Sequence, residues 1–138
     1  MLRRGIAAIA TTCALTVAGC GSSDTLTRAE FIKQANAACD SVRKQFAHSN
    51  IHGLKEFREA IVASQTARTR KMMALQPPLE LRVPYQQYVH VLQERTAMLA
   101  QAVEMTRRNR VLKVDAVKTA ELQTSERQLV TKLKLTKC

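Results

Sequence analysis

The chain has no tryptophan, only five other aromatic residues in 138, four glycines and three prolines. So few turn formers exclude a sandwich or barrel of many short strands, which needs a turn every roughly 8–12 residues. Acidic residues are scarce as well: 11 Asp and Glu stand against 22 Lys and Arg, for a formal net charge of +11 and a pI near 10.1. That excess gives weight to phosphates or anionic lipid as partners without naming one. No glycine-rich phosphate loop, paired-carboxylate spacing or nucleophile–base motif occurs, so the sequence points to no catalysis and no cofactor. What is abundant is Ala, Leu, Gln, Lys, Arg and Glu, the residues that favour helices. The length suits one domain with one core.

The amino terminus reads as an address. Arg3 and Arg4 precede an uncharged, mostly apolar stretch from Gly5 to Ala18. It falls short of the roughly 20 residues that span a bilayer, so an export signal is expected rather than a transmembrane anchor. Val17-Ala18-Gly19-Cys20 then resembles the lipobox of bacterial lipoproteins, in which small residues precede an obligatory cysteine. The resemblance implies a diacylglyceryl thioether on Cys20 and cleavage between Gly19 and Cys20. The competing reading is an ordinary secreted cysteine after a conventional cleavage site. The resulting division is residues 1–19 as signal peptide, 20–26 as lipidated cysteine and polar tether, and 27–138 as a helical domain. Cleavage removes two arginines and leaves a formal charge of +9. Two or three acyl chains, at about 0.8 kcal/mol per buried methylene, make a lasting anchor.

Of the four cysteines, Cys13 leaves with the signal and Cys20 carries lipid, so Cys39 and Cys138 remain. In an oxidising compartment a disulfide is the expectation. Its loop of about 100 residues corresponds to about 4.7 kcal/mol in the chain-entropy model. A metal site or a redox thiol pair competes, but neither finds a supporting spacing or a nearby His and Cys cluster.

Four helices follow from periodicity. Thr27 and Glu30 form a capping box with Leu26 and Phe31 as a hydrophobic staple, and the apolar face Phe31, Ala35, Cys39, Val42, Phe46 runs to about residue 47. Asn50 and Gly53 mark a connection. A second helix covers Leu54 to Leu75, with a middle weakened by Ser64, Gln65 and Arg68, and Pro77-Pro78 ends it. Leu79 to Val83 crosses over in an extended or irregular path. Pro84 suits the first turn of a third helix that holds its period to about residue 108. The fourth runs from about Val114 to Leu133, with Leu135 to Cys138 as a tail. Short connections predict an all-α, antiparallel up-down four-helix bundle closed by one disulfide. Three long helices with a broken second helix are the alternative.

The lipobox, the tether, the segment Phe31-Ile32-Lys33-Gln34-Ala35-Asn36-Ala37-Ala38-Cys39, the Pro-Pro connection and the ending Leu133-Lys134-Leu135-Thr136-Lys137-Cys138 together resemble small helical two-cysteine lipoproteins of high-GC Gram-positive bacteria. That family ends in Leu-Gly-Leu-x-x-Cys, so Lys134 occupies the place of its glycine. The resemblance implies pairing of the two cysteines and carries no activity with it.

Candidate sites divide by chemistry. His48 and His52 have a metal-ligand spacing but lie in a loop without an acidic or cysteine partner, and His90 sits beside a core stripe, so no metal is expected. In an antiparallel bundle, Arg68, Arg70, Lys71, Lys132, Lys134 and Lys137 face the membrane, while Arg107, Arg108, Arg110 and Lys113 form a patch pointing away, for an envelope protein or anionic polymer. The bland account of these cations is solvated charge complementing helix C-termini. Nucleic acid is excluded by export. The reading is a lipid-anchored, extracytoplasmic, non-catalytic binding or scaffolding module. Its rival is a carrier of an apolar or lipid-like ligand, with Met72, Met73, Tyr85, Tyr88, Leu92 and Met98 lining a core pocket; ordinary core packing is the competing account of those six.

Overall fold

The structure, a computed structural model, describes residues 26–108 and 115–138. The leader, Cys20 and the tether as far as residue 25, together with Arg110 and Lys113, lie outside the described residues. Four α-helices form: α1 (Arg28–Ala47), α2 (Leu54–Met73), α3 (Arg82–Arg107) and α4 (Ala116–Leu133), with one 3-10 turn at Leu79–Leu81. No strand occurs among the described residues. Packing follows chain order, α1 on α2, α2 on α3 and α3 on α4.

The capping box at α1 forms as the sequence predicts. Thr27 N–H donates to Glu30 Oε2 at 2.9 Å, and Glu30 N–H donates back to Thr27 Oγ1 at 3.3 Å. Two of the four orphan donors at a helix start are thereby satisfied. One face of α1 then buries Phe31, Ala35, Cys39 and Val42.

The second helix corrects the expectation of a weak middle. α2 is unbroken from Leu54 to Met73, so the three-helix alternative does not describe this chain. Two of its polar residues, Arg68 and Thr69, reach partners on the neighbouring helices. Thr69 Oγ1 lies 3.0 Å from Thr96 Oγ1 on α3, whose own hydroxyl donates to the Leu92 carbonyl at 2.8 Å. With that proton committed, Thr69 is the donor of the pair, and both hydroxyls are satisfied.

The crossover also departs from expectation. Leu79–Leu81 is a 3-10 turn closed by Leu81 N–H to the Pro78 carbonyl at 3.0 Å, and it buries Leu81 in the core. α3 begins at Arg82, which puts Pro84 in its first turn, where no intrahelical hydrogen bond is lost.

The core lies where the first half of α1, the last turn of α2, the first half of α3 and the last turn of α4 converge. Phe31, Met72, Tyr88, Leu92 and Leu133 are fully buried there. Phe31 meets Tyr85 edge-on, with centroids 4.8 Å apart and planes at 89°, a favourable arrangement of ring quadrupoles. The Tyr85 hydroxyl donates to the Met72 carbonyl at 2.6 Å, which satisfies it in the apolar interior. Burial, reinforced by Tyr88, pushes the Tyr85 phenol far above its ordinary pKa.

α4 ends in a Schellman motif. Leu135 N–H donates to the Val130 carbonyl at 3.0 Å and Lys134 N–H to the Thr131 carbonyl at 3.1 Å, while Leu135 and Val130 both join the core cluster. The motif needs a left-handed residue, and Lys134 adopts it at φ 57°, ψ 37°. It is the one non-glycine residue with positive φ among those described.

Candidate functional site

The tail returns to α1. Cys39 and Cys138 are joined by a disulfide with their Cα atoms 5.2 Å apart, across a sequence separation of 99. Lys137 N–H donates to Asn36 Oδ1 at 2.9 Å, one turn before Cys39 on α1. Leu135 is carried into the core cluster that also holds Phe31.

A charged cluster lies inside the helical layer. Arg68 on α2 donates through Nη2 to Glu126 Oε1 at 2.5 Å and to the Tyr88 hydroxyl at 2.7 Å. Its guanidinium carbon stands 5.9 Å from the centroid of the Tyr88 ring, within cation–π range. Arg95 on α3 contacts the second oxygen of Glu126. The Arg68 side chain is 12% exposed and that of Glu126 8%. Arg68 therefore does not belong to a membrane-facing basic patch: the carboxylate of Glu126 and the phenol of Tyr88 draw it inward. Two guanidiniums share one carboxylate, which leaves an excess positive charge, and Arg68 Nε has no hydrogen-bond partner. Burial, followed by repulsion from Arg68, lowers the pKa of Arg95 below the usual arginine value.

Beside this cluster an open groove of about 510 Å³ runs between α2, α3 and α4, with Ile61, Met98, Leu99 and Leu122 among its apolar lining and Arg95 also on its wall. Lys118 and Asp115 stand at its rim, and the Asp115 carboxylate is engaged in capping α4 by accepting from Lys118 N–H at 3.0 Å. The six residues that the carrier reading gathers do not share one pocket. Met72, Tyr85, Tyr88 and Leu92 are core, the 56% exposed Met73 meets Tyr85 in an open cleft of about 410 Å³, and Met98 lines the groove.

Of the remaining basic residues, Arg70, Lys71, Lys132, Lys134 and Lys137 are exposed. Lys71 Nζ donates to Ser41 Oγ at 2.6 Å. Arg107 and Arg108 both pair with Glu104, at 3.0 and 2.7 Å, and hold its carboxyl below the usual range. His48 and His52 are exposed, and His48 Nδ1 lies 2.6 Å from the Lys44 carbonyl at the end of α1. Among the described residues no three His, Cys, Asp or Glu side chains come together as a metal site.

Sequence reasoning missed Glu126. Its signal was register: it sits four residues after Leu122 and seven before Leu133, on the buried stripe of α4. Arg68 stands four before Met72 on the buried face of α2 in the same way. An acid and a base on two inward faces are the pattern of a buried ion pair.

No protein-family model matches this chain, and neither a curated protein nor a solved structure matches it.

Proposed function

We propose that the chain is an exported lipoprotein, held on the extracytoplasmic face of a membrane by acyl chains on Cys20, and that residues 27–138 serve the cell envelope as a non-catalytic binding or scaffolding module. The observation that carries this reading is the basic Arg3-Arg4, the short apolar stretch and Val17-Ala18-Gly19-Cys20 falling in register. The Cys39–Cys138 bridge suits an oxidising compartment. Among the described residues no helix is long and apolar enough to cross a membrane.

Within the domain we read the helices as an antiparallel up-down bundle. Three pairings support it: Phe46 at the end of α1 beside Phe57 at the start of α2, Met72 at the end of α2 bonded to Tyr85 at the start of α3, and Gln87 and His90 in the first half of α3 lining one cleft with Gln128 and Lys132 near the end of α4. In that arrangement Arg70, Lys71, Lys132, Lys134 and Lys137 share the end nearest the anchor, and anionic headgroups are their natural counter-charge. Arg107 and Arg108 stand at the other end, open to an envelope protein or anionic polymer.

The test is the mass of the mature amino-terminal peptide from the full chain expressed in a bacterium. A peptide that begins at Cys20 and carries diacylglyceryl mass is expected, and Cys20→Ala should leave an uncleaved, lipid-free precursor. An unmodified peptide cut elsewhere overturns the reading.

A further inference from the structure

We propose that the groove between α2, α3 and α4 binds a single-chain amphiphile with an anionic head, the head pairing with Arg95 and the acyl chain lying along Ile61, Met98, Leu99 and Leu122. The inference goes beyond the anchoring proposed above and holds whether or not Cys20 is acylated.

Charge complementarity selects the head. Arg95 and Arg68 converge on one carboxylate, Glu126, so the groove wall carries a guanidinium whose counter-charge is shared with a second one. An excess positive charge in a partly buried cluster is costly, and a monoanion placed against Arg95 offsets it. The lowered proton affinity of Arg95 has the same origin, burial and its neighbour Arg68. The rim adds no net charge, since Lys118 and Asp115 offset each other.

The walls select the tail. Ile61, Met98, Leu99 and Leu122 come from three different helices, and the thioether of Met98 adapts to an uneven chain. At about 510 Å³ the groove falls within the size of ordinary small-ligand sites. The main core cluster, which holds Phe31 and Leu133, contains none of the four apolar groove residues. Free fatty acids and monoacyl phospholipids share the required chemistry.

The experiment presents the purified full chain with palmitic acid carrying a mid-chain diazirine, below its micelle concentration, and maps the labelled peptides. Label is expected on α3 around Met98–Ala102 and on α4 around Lys118–Leu122. Excess palmitate should compete and hexadecanol, which lacks the charge, should not. Arg95→Gln should reduce labelling about tenfold, as loss of one charge-assisted contact implies. Ala102→Trp, at a half-buried groove position, should block the site without touching the charged cluster. Competition by palmitate against monoacyl phosphatidylglycerol identifies the head group, and either result supports the proposal. Label elsewhere or nowhere, equal competition by hexadecanol, displacement by acetate or phosphate alone, or full labelling of a folded Ala102→Trp overturns it.

Discussion

Arg68 and Glu126, 58 residues apart on α2 and α4, meet at 2.5 Å between two helices that each pack on α3. The pair ties the layer together at the point where the tight core gives way to the open groove, and Arg95 from the intervening helix closes it.

Removing the carboxylate alone leaves the largely buried Arg68 and the partly exposed Arg95 without a counter-charge. Glu126→Leu is expected to lower stability by about 3–5 kcal/mol in urea denaturation. Adding Arg68→Met should recover most of that loss, because an apolar pair of similar volume carries no desolvation penalty. A double variant no better than Glu126→Leu refutes the account.

The left-handed turn at Lys134 yields the opposite sign. Lys134→Gly should raise stability by about 1 kcal/mol, since glycine takes this conformation without the Cβ penalty, and Lys134→Val should lower it. Thermal unfolding of the three proteins gives the order.

Opening the Cys39–Cys138 bond frees a loop of 99 residues. Reduction, or Cys39→Ala with Cys138→Ala, is expected to cost about 2–5 kcal/mol, read as a shift of the urea midpoint with and without reductant.

Acid sensitivity has a local source at the start of α1. The Thr27 side chain, then its backbone N–H, holds the Glu30 carboxyl below its ordinary pKa. A depressed folded value means that the unfolded chain binds more protons, so this contribution is present above the ordinary carboxylate range near about 4 and is lost as the pH falls through the folded value. Glu30→Gln should therefore flatten the acid limb of the stability curve. An unchanged limb rules the cap out as its cause.

The basic end of the domain makes a prediction about surfaces. A chain beginning at Gly21, without its lipid, should partition to vesicles containing phosphatidylglycerol and release with salt. Replacing Lys132 and Lys137 with Glu should weaken that partition at least tenfold, given about 1 kcal/mol per basic residue. Replacing Arg107 and Arg108 should leave it unchanged.

The helices were legible in the sequence because their signals are local. Thr27 and Glu30 announce one start, Pro77-Pro78 one stop, and the spacing of Phe31, Ala35, Cys39 and Val42 fixes a buried face. The bond between Cys39 and Cys138 followed from counting thiols. What escaped was tertiary. Arg68 read as a surface cation because a single helix does not reveal that another will bring it a carboxylate. The 3-10 turn at Leu79–Leu81 depends on the burial of Leu81 in a core that forms from all four helices. The groove and the guanidinium pair that shares Glu126 exist only once α2, α3 and α4 are side by side.

The disulfide also sets how the domain carries load. Tension applied between the tether ahead of α1 and the tail passes from Cys39 to Cys138 through a covalent bond. The first eleven residues of α1 and Cys138 itself lie on that path; the rest of α1, all of α2, α3 and α4, and the tail as far as Lys137 lie in a closed ring beside it. A pull on the membrane anchor proposed here would strain the residues before Cys39 while the groove, the charged cluster and the helices around them stayed slack.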